Sequence, residues 1–183
     1  MYNDFFLAGF GGQGVLVVGN IIAEAAMRAG RRVTFMPSYG VEMRGGTANC
    51  TVVVSDHEIG SPIITHPRNS IFFNLPSLAH YQQDVAVNGL LIYNSSLIEA
   101  TEVKRKDIKV VPIPFNSLAD TMGNARLANM IALGATLSLT GVLGIEEVGA
   151  AMPFVFAEKY HKLIPKNIEA VKKGFEYAKE NLR

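Results

Sequence analysis

The sequence predicts an α/β fold: a single domain, residues 1–183, with an open, mostly parallel sheet and helices on both faces. Three observations carry this. Short, nearly continuous apolar runs recur along the chain, as expected of strands buried on both faces. A run of helical apolar spacing follows the first of them after only four residues. The 183 residues, 49% of them hydrophobic, suffice for the core of one domain and are too few for two generous ones.

The elements follow in order. Residues 5–10 read as a buried strand that ends in glycines. Residues 15–29 read as a helix, because Val18, Ile21, Ile22, Ala25 and Ala29 recur at helical spacing and Gly30 stands where a C-terminal cap belongs. Residues 32–36 form a second strand, so strand, helix and strand make a βαβ unit. A loop dense in Gly and charge spans 37–46. Residues 48–54, rich in Thr and Val, are a strand, and 57–64 are expected to return as a short hairpin arm. Residues 70–74 are a further buried strand. Residues 75–84 follow as a short helix with Pro76 near its start. Strands are predicted at 89–93, before the polar turn Asn94-Ser95-Ser96, and at 109–113. Helices are predicted over 115–122, 125–139, 145–151 and 165–181. In the last, Ile164, Ile168, Val171, Phe175, Ala178 and Leu182 form one apolar stripe, with Lys and Glu covering the rest.

Charge excludes several classes. With 17 Lys+Arg against 16 Asp+Glu, the net charge of +1 leaves no basic footprint for nucleic acid and argues against disorder. The single cysteine, Cys50, excludes an intrachain disulfide, a four-cysteine zinc site and an iron–sulfur cluster held by this chain alone. No apolar stretch approaches the ~18 residues of a membrane span. The N-terminus lacks the basic start of a signal peptide, so a cytoplasmic location is expected. Charged residues reach only 18%, so some apolar surface is expected either to face a partner subunit or to fill the core well.

The strongest local motif is Gly9-Phe10-Gly11-Gly12-Gln13-Gly14, between the first strand and first helix. Glycines there permit a sharp turn and a close approach to a phosphate, while the helix N-terminus offers N–H groups. Its bland reading is tight packing of strand, turn and helix. The acidic residue that a dinucleotide site places at the end of the second strand is missing, which disfavours a nicotinamide dehydrogenase. The second motif, Ser38-Tyr39-Gly40-Val41-Glu42-Met43-Arg44-Gly45-Gly46, follows a strand and is expected at the carboxyl edge beside the glycine turn. Glu42 and Arg44 either pair to shape this loop, or Arg44 meets an anion and Tyr39 a ring. The third motif opens a helix of small residues at Ala125-Arg126-Leu127-Ala128-Asn129-Met130, where Arg126 and Asn129 either meet a ligand or partner or merely cap and solvate the helix. His57, His66, His80 and His161 show no metal-ligand spacing, and Ser38, Ser95 and Ser96 have no adjacent base. Nothing resembles a nucleophile with its base.

Together these motifs resemble the gamma subunit of 2-oxoacid:ferredoxin oxidoreductases. The likeness runs from the first strand through Glu158-Lys159-Tyr160-His161 to the final helix. It implies a Rossmann-like domain without catalysis of its own, inside a complex with alpha and beta subunits and, in some members, a small delta subunit. Such complexes oxidatively decarboxylate a 2-oxoacid with coenzyme A and pass electrons to ferredoxin. They use thiamine diphosphate with Mg, and iron–sulfur clusters held by other chains. The resemblance implies that this chain shapes the coenzyme A or active-site region. Its binding set is then Gly11, Gly12, Gln13, Gly14, Ser38, Tyr39, Gly40, Glu42, Arg44, Gly45, Gly46 and Asn129. Residues 37–50 with Asn74-Leu75-Pro76-Ser77-Leu78 look most like the 2-oxoglutarate type. Pyruvate and branched-chain substrates stay open, as does a free-standing Rossmann-like nucleotide-binding protein.

Overall fold

The computed structural model describes residues 1–39 and 46–181. Its sheet is built from β1 (Tyr2–Phe10), β2 (Arg32–Tyr39), β3 (Thr47–Ser55), β4 (Asn69–Phe72), β5 (Leu90–Asn94) and β6 (Lys109–Ile113). The spatial order is β2-β3-β1-β4-β5-β6. β1, β4, β5 and β6 run parallel, while β3 is antiparallel to both β1 and β2. Five strands therefore point one way and β3 alone is reversed, so the sheet is mixed but mostly parallel.

The insertion of β3 corrects the simple βαβ expectation. β1 and β2 share a direction, but β3 lies between them, paired from Tyr2↔Ser55 to Phe10↔Thr47 on one side and from Arg32↔Ser55 to Tyr39↔Ala48 on the other. The hairpin arm expected at 57–64 is also absent: these residues form bends and irregular chain between β3 and β4. Both edges of β3 are already taken by β1 and β2, so a returning arm has no free edge on β3 to pair with.

α1 (Val15–Arg28) follows the glycine turn. It ends in a Schellman arrangement: Gly30 has φ +78°, its N–H donates to Met27, and the Arg31 N–H donates to Ala26. α2 (Leu75–Tyr81) is capped by Asn74, whose side chain accepts from the Ser77 N–H. α3 (Phe115–Asp120), α4 (Ala128–Thr140), α5 (Ile145–Val155) and α6 (Ile164–Asn181) complete the chain. Alternation along the strands places Phe5, Leu7, Ile71, Ile92 and Val111 in the large core with α1, α3, α4 and α5. On the opposite face Ala8, Phe72, Leu91 and Tyr93 pack with Leu78 of α2. Helices thus cover both faces, unequally.

α6 lies on α4, where Gly134 and Gly174 face each other's helix. A Cβ on Gly134 would strike the Val171 carbonyl, and one on Gly174 the Ile131 carbonyl, so glycine is what permits the close crossing. The described part of the stripe predicted for the last helix packs here and against α5, where Ile168 meets Gly149; Leu182 lies outside the described residues.

Candidate functional site

The carboxyl ends of β1, β4, β5 and β6 meet at one edge, where ligands bind in open α/β sheets. A cavity of about 340 Å³ opens there, lined by Gly12, Gln13, Phe73, Asn94, Asn116, Ala125, Arg126, Ala128 and Asn129. Each wall has a local origin. The glycine turn supplies Gly12 and Gln13. Gly14 is the N-cap of α1 with φ +78° and no side-chain cap. Asn94 ends β5, and Asn116 lies in the first turn of α3. A single 3₁₀ turn (Ala125–Leu127), capped by the Asn124 side chain, sets Arg126 ahead of α4. Asn129 then packs directly over Gly14, at a distance where any Cβ on Gly14 would strike its amide.

The polar groups of this cavity are oriented by their neighbours. Gln13 Oε1 accepts from the Phe10 N–H at 2.7 Å and from Asn74 Nδ2 at 2.8 Å. Asn94 Oδ1 accepts from the Ser96 and Phe115 N–H groups at 3.3 and 3.2 Å. Asn94 Nδ2 donates to the Phe73 carbonyl at 3.3 Å and to Asn116 Oδ1 at 2.7 Å. Asn129 Oδ1 accepts from the Met130 N–H at 2.9 Å. A backbone N–H can only donate, so these contacts fix which end of each amide is oxygen. Each carbonyl end thus already holds at least one protein donor. What remains for a ligand is Gln13 Nε2, Asn116 Nδ2, Asn129 Nδ2 and the exposed guanidinium of Arg126. All are donors, and among the described residues no carboxylate lines the cavity. Phe73, Ala125 and Ala128 give an apolar wall, and Phe73 is braced by the Phe115 ring at 5.5 Å.

This arrangement suits an acceptor-rich anion such as a phosphoryl group. The described wall offers no carboxylate of the kind that holds the cation of a magnesium-bound diphosphate. Among the described residues no group of three His, Cys, Asp or Glu stands together as a metal site. Cys50 is buried in β3, and burial pushes its thiol up to about 12, as in an inert core residue.

The structure brings Gly12, Gln13 and Asn129 to one cavity, with Gly14 directly beneath Asn129. The Gly11 N–H donates to the Gly46 carbonyl at 2.9 Å, which ties the end of the second motif to the first. Ser38 and Tyr39 lie at the end of β2, two strands from β1, and Tyr39 is 72% exposed. Gly40, Glu42, Arg44 and Gly45 lie outside the described residues. The sequence reading missed Asn94, Asn116 and Phe73 as cavity residues and passed over the carboxamide of Asn74. A signal was present: an asparagine follows or ends each of three successive parallel strands, where side chains reach the carboxyl edge. β3 also separates the ends of β1 and β2, so the neighbourhood that places a ribose-binding acid beside a glycine turn is not formed here.

Fold and cavity define a Rossmann-like α/β domain with a donor-lined cavity at its carboxyl edge. The chain belongs to the pyruvate ferredoxin/flavodoxin oxidoreductase family, whose model matches residues 4–177. It is 38% identical over 178 residues to the ketoisovalerate oxidoreductase subunit VorA of Methanothermobacter thermautotrophicus, covering 96% of this chain and 36% of that one. It therefore spans about a third of that relative. It is 29% identical over 182 residues to the 2-oxoglutarate synthase subunit KorC of Methanocaldococcus jannaschii, covering 98% and 96%. The structure resembles the keto/oxoacid ferredoxin oxidoreductase gamma subunit from Geobacter sulfurreducens, with TM-score 0.79, 28% identity and coverage of 96% and 98%. It also resembles the 2-oxoglutarate:ferredoxin oxidoreductase from Magnetococcus marinus, solved with 2-oxoglutarate, coenzyme A and succinyl-CoA bound. There the TM-score is 0.88 at 26% identity, over 97% of this chain and 31% of the other. Among the described residues no helix is long and apolar enough to cross a membrane.

Proposed function

We propose that this chain acts, as one α/β domain, as the gamma subunit of a cytoplasmic, multi-subunit 2-oxoacid:ferredoxin oxidoreductase. Its share of the work is to hold the phosphate-bearing part of coenzyme A at the cavity between the glycine turn and α4. The single observation that carries this is the donor lining: Gln13, Asn116, Asn129 and Arg126 offer N–H groups, and among the described residues no carboxylate opposes them. A cavity of about 340 Å³ suits a diphosphate-sized portion of that cofactor rather than the whole molecule. When bound, coenzyme A supplies the thiol that receives the acyl group. This chain's residues bind and orient its anionic end, and the partner alpha and beta subunits, with thiamine diphosphate, Mg and iron–sulfur clusters, carry the decarboxylation and electron transfer to ferredoxin. Ser38, Tyr39, Gly40, Glu42, Arg44, Gly45 and Gly46 complete the approach in this reading.

For the substrate, 2-oxoglutarate is the first reading, supported by a relative named for 2-oxoglutarate that this chain matches along nearly its full length. A branched-chain 2-oxoacid is the second, favoured by the higher identity to relatives named for ketoisovalerate. The test is to reconstitute the chain with its partner subunits and follow coenzyme A-dependent reduction of a viologen dye. The substrates are 2-oxoglutarate, ketoisovalerate and pyruvate, each supplied separately. The expected result is activity only in the assembled complex, with one 2-oxoacid preferred by kcat/KM. Turnover by the isolated chain, or micromolar binding of NAD(P) to it, overturns the proposal.

A further inference from the structure

Resting on the coenzyme A reading above, we infer that Asn74 is a positioning residue: it locks Gln13 so that only N–H donors of Gln13 face the ligand. Asn74 lies at the junction of β4 and α2 and is 5% exposed. Both ends of its carboxamide are engaged. Oδ1 accepts from the Ser77 N–H at 2.9 Å and caps α2, while Nδ2 donates to Gln13 Oε1 at 2.8 Å. The orientation is over-determined, because the Ser77 and Phe10 backbone N–H groups each demand an oxygen. A flipped Gln13 would aim its NH₂ group at the Phe10 N–H and at Asn74 Nδ2, donor against donor. Gln13 is thus held with Nε2 as its only free end, and Nε2 has no protein acceptor among the described residues.

The cap and the relay are separable by chemistry. An aspartate at this position still accepts from Ser77 and is among the best N-cap residues, yet its carboxylate has no proton to give to Gln13 Oε1. The repulsion turns or expels the Gln13 amide. A serine also caps but is too short to reach Gln13. The structural role of Asn74 survives both substitutions, and the positioning role survives neither.

The test uses the reconstituted complex carrying Asn74→Asp, Asn74→Ser or Gln13→Glu. Melting temperature, KM for coenzyme A and KM for the preferred 2-oxoacid are measured for each. N74D and N74S are expected to melt close to the parent and to raise KM for coenzyme A about ten-fold, the size of one lost hydrogen bond to a charged group, with the 2-oxoacid KM unchanged. Q13E keeps its acceptor contacts, loses the donor and adds a negative charge, so it is expected to raise KM for coenzyme A at least as far. If Q13E raises it and neither Asn74 variant does, the positioning role is refuted while the cavity assignment stands. If Q13E also leaves it unchanged, the coenzyme A reading itself fails. Should N74D misfold, N74S carries the same comparison, and equal shifts in both KM values would refute the inference.

Discussion

Alanine at Gly134 sets two simple expectations against each other. Helix propensity alone predicts that Gly134→Ala, in the interior of α4, stabilises the protein by about 1 kcal/mol. The structure predicts the opposite. A Cβ there would lie within the van der Waals envelope of the Val171 carbonyl oxygen and 2.8 Å from the Phe175 amide nitrogen, where ordinary contact begins near 3.4 Å. Both opposing atoms belong to the α6 backbone, so no side chain can swing aside and the helices must separate. The cost lies at the upper end of overpacking, about 3 kcal/mol, and offsets the propensity gain to leave about 2 kcal/mol of destabilisation. At this chain length that is a fall of roughly 4–8 °C in Tm. Gly174→Ala meets the Ile131 backbone in the same way and is expected to fall equally. Gly149→Ala is the control: in α5 its Cβ would meet only the Ile168 side-chain end at 3.2 Å, which can yield. Its Tm is expected to hold or rise. Circular dichroism melts of the three variants decide the matter, and a G134A melting point at or above the parent would refute the close-crossing argument.

Three further outcomes are expected. Arg126→Ala removes an exposed guanidinium from the cavity mouth; it should leave Tm unchanged and raise KM for coenzyme A roughly ten-fold in the assembled complex, measured by dye reduction. Burial raises the Asp4 carboxyl above 3.8, outweighing the Arg68 N–H and guanidinium that pull it down. A raised folded value means that Asp4 contributes stability below the unfolded pKa, and that this contribution is lost as pH climbs through the folded one. Denaturation of Asp4→Asn and parent across acid to neutral pH should therefore show the parent losing stability relative to the variant as pH rises. Native Cys50, its thiol pushed up to about 12, should resist iodoacetamide at pH 8 and label fully in denaturant, followed by mass spectrometry.

Much of this protein is written locally. The apolar run through Phe5 to Phe10, the glycine turn, the helical spacing from Val18 to Ala25 and the Gly30 terminator depend on neighbours within a few residues, so periodicity and turn chemistry suffice to read them. So does the stripe of α6, although not its partner α4. The predicted position of Gly12 and Gln13 at the carboxyl edge follows from strand direction alone.

Other features required the tertiary structure. Whether β2 pairs with β1 or lets β3 in between is settled by strand registers such as Tyr2↔Ser55, made between residues far apart in the chain. The 57–64 hairpin expectation failed for the same reason: local composition does not reveal that both edges of β3 are occupied. The chemistry of the cavity is the clearest case. Each asparagine reads in isolation as a turn or cap residue, and its amide has no preferred end. Some oxygens are claimed locally, Gln13 Oε1 by the Phe10 N–H and Asn129 Oδ1 by the Met130 N–H, but the pairing of Gln13 with Asn74, 61 residues away, and of Asn94 with Asn116, 22 residues away, exists only in the fold. The sequence by itself therefore determined the elements and the edge at which they converge. The tertiary structure decided which of these amides share one cavity, because that depends on contacts between residues far apart in the chain.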